Sequence, residues 1–247
     1  MFRFYTMYPV DAKRGRSWVA AILVHAYTAS GAILAFIGLE AVARRDYRLA
    51  FATMFAATLV DATDGTLARR ARVREVLPGI DGGRIDDIVD YITFVFLPMF
   101  LLHAAGGLPE PIALPVIGIV LLSSLYGFCS ADAKTTDNFF TGFPSYWNIV
   151  VLYLYVLDIS RILNATVLLV LSGLIFVRTG YVYPSKTPVL KELTLALGAV
   201  WGIMVAILVW KVPSAPRWLA IVSLGFPVYY TVLSFVLNAR RQGARVV

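Results

Sequence analysis

Successive apolar runs, at roughly residues 17–41, 47–68, 84–105, 110–130, 142–157, 160–178, 190–211 and 216–238, leave this chain few folds to adopt. Each is close to the roughly 17 to 25 residues that carry a helix across about 30 Å of hydrocarbon. The fold class expected is therefore all-α: a polytopic membrane helix bundle of about eight spans. The fifth run, "PSYWNIVVLYLYVLD", is short, and with the sixth it suits a tight helical hairpin, which leaves six or seven spans open.

Composition agrees: 59% of residues are hydrophobic, only 15% are charged, and the mean hydropathy is +0.75, too apolar for a soluble domain. The net charge of +7 favours a membrane surface over nucleic acid, because the basic residues sit in short turns between runs. One cysteine, Cys129, precludes an intrachain disulfide. No convincing cleavage site follows Lys13, Arg14 and Arg16, and no repeat or linker divides the chain. The organisation expected is an interfacial segment at 1–16, a transmembrane catalytic domain at 17–238 and a basic tail at 239–247. With an even span count both ends share a side with the Arg69, Arg70, Arg72, Arg74 cluster, and that side is the cytoplasmic one. Arg44, Arg45 and Arg48, in "ARRDYR", fall on the other side and run against this bias.

Against this apolar background, residues 61–90 carry six aspartates. In helical phase Asp61 and Asp64 share one face, and Gly82, Asp86 and Asp90 share one face of the next helix, while Asp87 points about 100° away. A single carboxylate at a membrane boundary is commonly a solvated helix end or the partner of a nearby arginine such as Arg69 or Arg84. Four converging ones repel unless cations neutralise them. All-oxygen donors suit hard divalent ions such as Mg²⁺ or Mn²⁺, and a pair of such ions suits phosphoryl transfer. Gly65 and Gly82 leave backbone open to a bulky nucleotide.

"DATDGTLAR", twelve residues, then "GGRIDDIVD" resembles the signature of the CDP-alcohol phosphotransferases at Asp61, Asp64, Gly65, Ala68, Arg69, Gly82, Asp86 and Asp90. The long spacer, "HAYTASG" in the first run and "DNFFTGFPSYWN" at 137–148 look like the bacterial phosphatidylcholine synthase branch, over nearly the whole chain. His25 stands where the wider family often has Asn. The resemblance implies a six-helix catalytic core, a homodimer, a bacterial inner-membrane location with the active site facing the cytoplasm, and two divalent ions, Mn²⁺ or Mg²⁺. By the same resemblance Asp61, Asp64 and Asp86 are metal ligands, and Asp90 is a ligand or the general base, with Asp86 and Asp90 the catalytic pair. Asp61, Gly65, Ala68, Arg69, Gly82 and Thr28 would bind CDP. The implied reaction moves the phosphatidyl group of CDP-diacylglycerol to choline and releases CMP.

Choline is a quaternary ammonium, which aromatic faces and a carboxylate capture. Tyr146, Trp147, Phe143 and Asp132 are candidates, though the rings equally suit an interfacial aromatic belt. Arg178 and Lys186 are candidates for the lipid phosphate, or ordinary positive-inside residues. Membrane lipids are expected partners and nucleic acid is not. The alternatives are another acceptor (serine, inositol or glycerol phosphate) and a cation transporter.

Overall fold

The computed structural model describes residues 12–130, 139–177, 179–182 and 190–243. Helix α1 (Ala12–Ala43) starts inside the segment expected to be interfacial and meets α2 (Tyr47–Arg70) across a three-residue turn. Asp46 caps α2 by accepting a hydrogen bond from the Leu49 N–H at 3.0 Å. A single short turn, α3 (Val73–Val76), separates α2 from α4 (Gly82–Asp90). Asp81 caps α4, accepting from the N–H groups of Gly83 and Arg84 at 3.1 and 3.3 Å.

Helix α4 runs through a π-helical turn, Tyr91–Phe96, into α5 (Leu97–Ala104), giving one rod over the third apolar run. Pro98 supplies the reason for the wide turn: it has no N–H to give to the carbonyl four residues back, and its ring crowds that carbonyl. The rest of the bundle is α6 (Glu110–Cys129), α7 (Trp147–Leu157), α8 (Arg161–Ile175), α9 (Lys191–Lys211), α10 (Arg217–Ser223) and α11 (Gly225–Gly243). Eight helical rods thus occupy the eight apolar runs among the described residues. Ser17–Ala43, Glu110–Cys129, Lys191–Lys211 and Arg217–Ala239 are long and apolar enough to cross a membrane, with shorter apolar helices beside them. The chain is a polytopic membrane helix bundle.

The fifth run differs from its expected extent. Only Trp147–Leu157 is helical, about 16 Å at 1.5 Å per residue, and α7 and α8 do not zip into a hairpin. Helix α7 packs on α5 and α10, whereas α8 packs on α6. Residues 142–146 are irregular because their backbone groups are used elsewhere. The Gly142 N–H donates to the Thr179 carbonyl (2.9 Å) and the Phe143 N–H to the Leu174 carbonyl (3.1 Å). Gly142 has φ +80°, and a side chain there would run into the Ile175 carbonyl. These bonds extend a small antiparallel ribbon, β1 (Phe139–Thr141) with β2 (Gly180–Val182), the only strands among the described residues.

The core gathers Phe51, Met54, Leu97, Met99, Trp147 and Leu152 from α2, α5 and α7. Lipid tails are as apolar as these side chains, so interhelical hydrogen bonds do much of the registering. Tyr153 bonds Ser223 (2.9 Å) and accepts from the Trp201 indole (2.9 Å); Asn148 donates to Thr58 (2.9 Å).

Candidate metal and nucleotide site

Asp61 stands on the penultimate turns of α2, and Asp86 and Asp90 lie one turn apart on α4. Carboxylate oxygens of these three residues all lie within 4.8 Å of one another, and the three side chains are half-buried. At an effective dielectric near 20, two unit charges at that spacing repel by roughly 3 kcal/mol. A cation shared among them turns that cost into binding energy. The donor set is all oxygen, with no histidine or cysteine, and fits a hard divalent ion. Asp87, next in sequence to Asp86, is not in the trio.

Asp64, one turn after Asp61, also lies outside the trio. It is 7% exposed, and its Oδ2 accepts a 2.8 Å hydrogen bond from the Thr28 hydroxyl on α1. A hydrogen bond to a buried charge is worth about 1.5 to 3 kcal/mol, so Thr28 holds this carboxylate in place. Next to it, the Tyr27 and Thr63 hydroxyls meet at 2.9 Å, a second tie between α1 and α2.

His25 lies one turn before Thr28 on α1. Its ring packs against the start of α4, where a Cβ on Gly82 would sit 2.8 Å from Cε1 and 3.3 Å from Nδ1. The bareness of Gly82 is therefore required by a neighbouring helix, whatever nucleotide approaches it. The buried Nε2 of His25 has no hydrogen-bond partner among the described residues. On α2, Gly65 and Ala68 are half-buried and Arg69 is exposed. Arg69 donates to the Thr66 hydroxyl (3.0 Å), and its guanidinium leans back over Gly65, 3.4 Å from where a Cβ would be.

The residues considered for choline separate. Trp147, expected as a cation-binding ring at the surface, is fully buried: its indole N–H donates to Ser124 (2.7 Å) and Phe143 packs edge-on against it at 5.1 Å. The ring closes the core between α5, α6 and α7 and offers no open face. Phe143 is half-buried in the same cluster. Tyr146 is 38% exposed, with its ring 6.3 Å from Phe94, which follows Asp90 by one turn of the rod. Asp132, Arg178 and Lys186 lie outside the described residues.

One residue close to the site escaped the sequence reading. Asn148, buried at the start of α7, donates to Thr58, which precedes Asp61 by one turn. With Tyr146 against Phe94, this wedges the first turn of α7 between α2 and the π-turn, beneath the carboxylates. The stretch "SYWN" had drawn attention for its rings and as part of the resembling segment at 137–148, with no role given to Asn148; an Asn at the start of an apolar helix was the available signal.

No protein-family model matches the chain. It is 40% identical over 225 residues to the phosphatidylcholine synthase of Legionella pneumophila, an alignment covering 88% of each chain. To the phosphatidylcholine synthase of Pseudomonas aeruginosa it is 40% identical over 191 residues, 77% of this chain and 80% of the relative. To that of Agrobacterium fabrum it is 34% identical over 220 residues, covering 89% and 91%. Relatedness at this level extends over most of both partners in each case, and the chain belongs to the phosphatidylcholine synthase family.

Proposed function

We propose that this membrane transferase moves the phosphatidyl group of CDP-diacylglycerol to choline and releases CMP, using divalent cations held by Asp61, Asp64, Asp86 and Asp90. The observation that carries the reading is the convergence of three carboxylates from two helices within 4.8 Å, in a chain whose relatives are phosphatidylcholine synthases. Bound Mn²⁺ or Mg²⁺ would supply Lewis acidity toward the diphosphate oxygens. Arg69, Gly65 and Ala68, on the turns after Asp61, and Gly82 and Thr28 beside them border the space for CDP.

Asp90 is the deepest of the trio along α4 and takes the proton from the choline hydroxyl. The choline oxygen then bonds to the lipid-side phosphorus as the bond from that phosphorus to the CMP oxygen breaks. Asp86 would hold a cation at the diphosphate end. Tyr146, part-exposed beside Phe94, offers its ring to the trimethylammonium group, with Phe143, Trp147 and Asp132 as the remaining candidates around it. Arg178 and Lys186 would meet the lipid phosphate. The catalytic domain covers residues 17–238, between the N-terminal segment and a basic tail, and works as a homodimer in the bacterial inner membrane with its carboxylates facing the cytoplasm.

The test is synthesis by the purified chain in lipid vesicles, given CDP-diacylglycerol, labelled choline and either Mg²⁺ or Mn²⁺. Labelled phosphatidylcholine is expected, with none formed in chelator. If the Legionella relative forms it under the same conditions and this chain forms none, or uses serine in preference, the reading fails.

A further inference from the structure

One cavity lined by described residues lies away from the carboxylates, at the other end of α2. Arg48 precedes Asp61 by nearly four turns, roughly 20 Å along the helix. The cavity has a volume of about 280 Å³ and is lined by Arg45, Asp46, Tyr47, Arg48, Tyr155 and the Val212–Pro213 segment. This is smaller than the roughly 300 Å³ at which drug-sized sites begin, and suits a head group rather than a whole liponucleotide.

Its charges are oddly placed for stability. Arg48, in the first turn of α2, opposes that helix's macrodipole, while Arg45 lies just past the C-terminus of α1, and both oppose the positive-inside bias. Local carboxylates do not compensate all of them. Glu40 pairs with Arg44. The carboxylate of Asp46 caps the Leu49 N–H. Arg48 uses its Nε on the Val212 carbonyl (2.8 Å), which anchors the side chain at the cavity wall. No carboxylate pairs with Arg45 or Arg48 among the described residues. Tyr47, bonded to the Ala104 carbonyl at 3.1 Å, and Tyr155, edge-on to it at 5.6 Å, add amphipathic rings of the kind that sit at head-group level.

We propose that this cavity is a second anion site, which binds the phosphate group of a phospholipid in the leaflet opposite the carboxylates. The guanidinium groups of Arg45 and Arg48 supply the donors a phosphate oxygen accepts from. Free inorganic phosphate carries the same chemistry, and the experiment separates the two.

The full chain is immobilised in non-ionic detergent. Binding of ³²P-labelled dioctanoylphosphatidylglycerol, and separately of ³²P-labelled inorganic phosphate, is measured by scintillation proximity. The variants are Arg48→Gln, which can still donate to the Val212 carbonyl, and Arg45→Asn, suited to the left-handed backbone there (φ +59°). Each should weaken one saturable lipid site by about 10-fold, while Arg44→Gln, outside the cavity, should not. Arginine-dependent binding of lipid alone assigns the site to a head group. Equal arginine-dependent binding of inorganic phosphate keeps the anion site but overturns the lipid as its source. Wild-type binding by Arg45→Asn and Arg48→Gln, or equal loss in Arg44→Gln, overturns the site altogether.

Discussion

Replacing Gly82 by Ala asks whether the motif glycine is bare for the nucleotide or for the helix beside it. The added methyl carbon would lie 2.8 Å from the His25 Cε1, well inside the roughly 3.5 to 4.0 Å at which carbons rest. His25 is only 9% exposed and has little room to turn away. Overpacking of this kind costs about 1 to 3 kcal/mol, against which Ala recovers at most about 1 kcal/mol of helix propensity, and less in a first turn. A net loss near 1 kcal/mol is expected. The functional loss should be larger, because relief of the clash moves α4, and Asp86 lies one turn along it. A displacement near 1 Å at a reacting group can cost about 100-fold in rate. His25→Ala removes the obstructing ring, so Gly82→Ala combined with His25→Ala should be more stable and more active than the two single losses summed. Thermal unfolding in detergent and initial rates of choline incorporation for all four proteins give the coupling, expected at 1 kcal/mol or more. Additive losses would refute the packing argument and return Gly82 to the nucleotide.

Asp61→Asn and Asp86→Asn should each lower turnover by at least about 100-fold and lose bound Mn²⁺ together with it, whereas Asp87→Asn, outside the trio, should change the rate by less than about 3-fold; metal analysis beside rate measurement checks both. Thr28→Val removes the donor to buried Asp64, worth about 1.5 to 3 kcal/mol, and should slow turnover by roughly 10- to 100-fold, with Thr28→Ser recovering most of it. Tyr146→Leu should raise the choline KM by roughly 3- to 30-fold with the melting temperature little changed. Trp147→Leu should instead destabilise the bundle by about 2 to 4 kcal/mol, since it empties core volume and strands the Ser124 hydroxyl; a wild-type melting temperature would contradict its burial.

The sequence by itself determined the bundle, because a run of apolar residues long enough for the bilayer has one structural outcome that depends little on its neighbours. It also brought Asp61, Asp86 and Asp90 together, although the same helical phase counted Asp64 with them, and Asp64 lies outside that cluster, bonded to Thr28. Asp61 sits near the end of one helix and Asp86 and Asp90 in the next, the connection is short, and the 100° step per residue sets which side chains converge and leaves Asp87 out. What joins the trio to the rest of the chain was decided by tertiary structure. Thr28 reaches Asp64, and His25 reaches Gly82, across a crossing of α1 that no local period encodes. The π-turn had a visible cause in Pro98, but its consequence, the seat for Tyr146 beside Phe94, needed α7 in place. Trp147 and Tyr146 show the limit most plainly: adjacent aromatic residues in one apolar stretch, one sealed in the core and one left open. In water, polarity marks which face of a helix is buried. In a membrane both the lipid and the core are apolar, so hydropathy is the same on either side, and only the packing of the neighbouring helices decides which ring a ligand can reach.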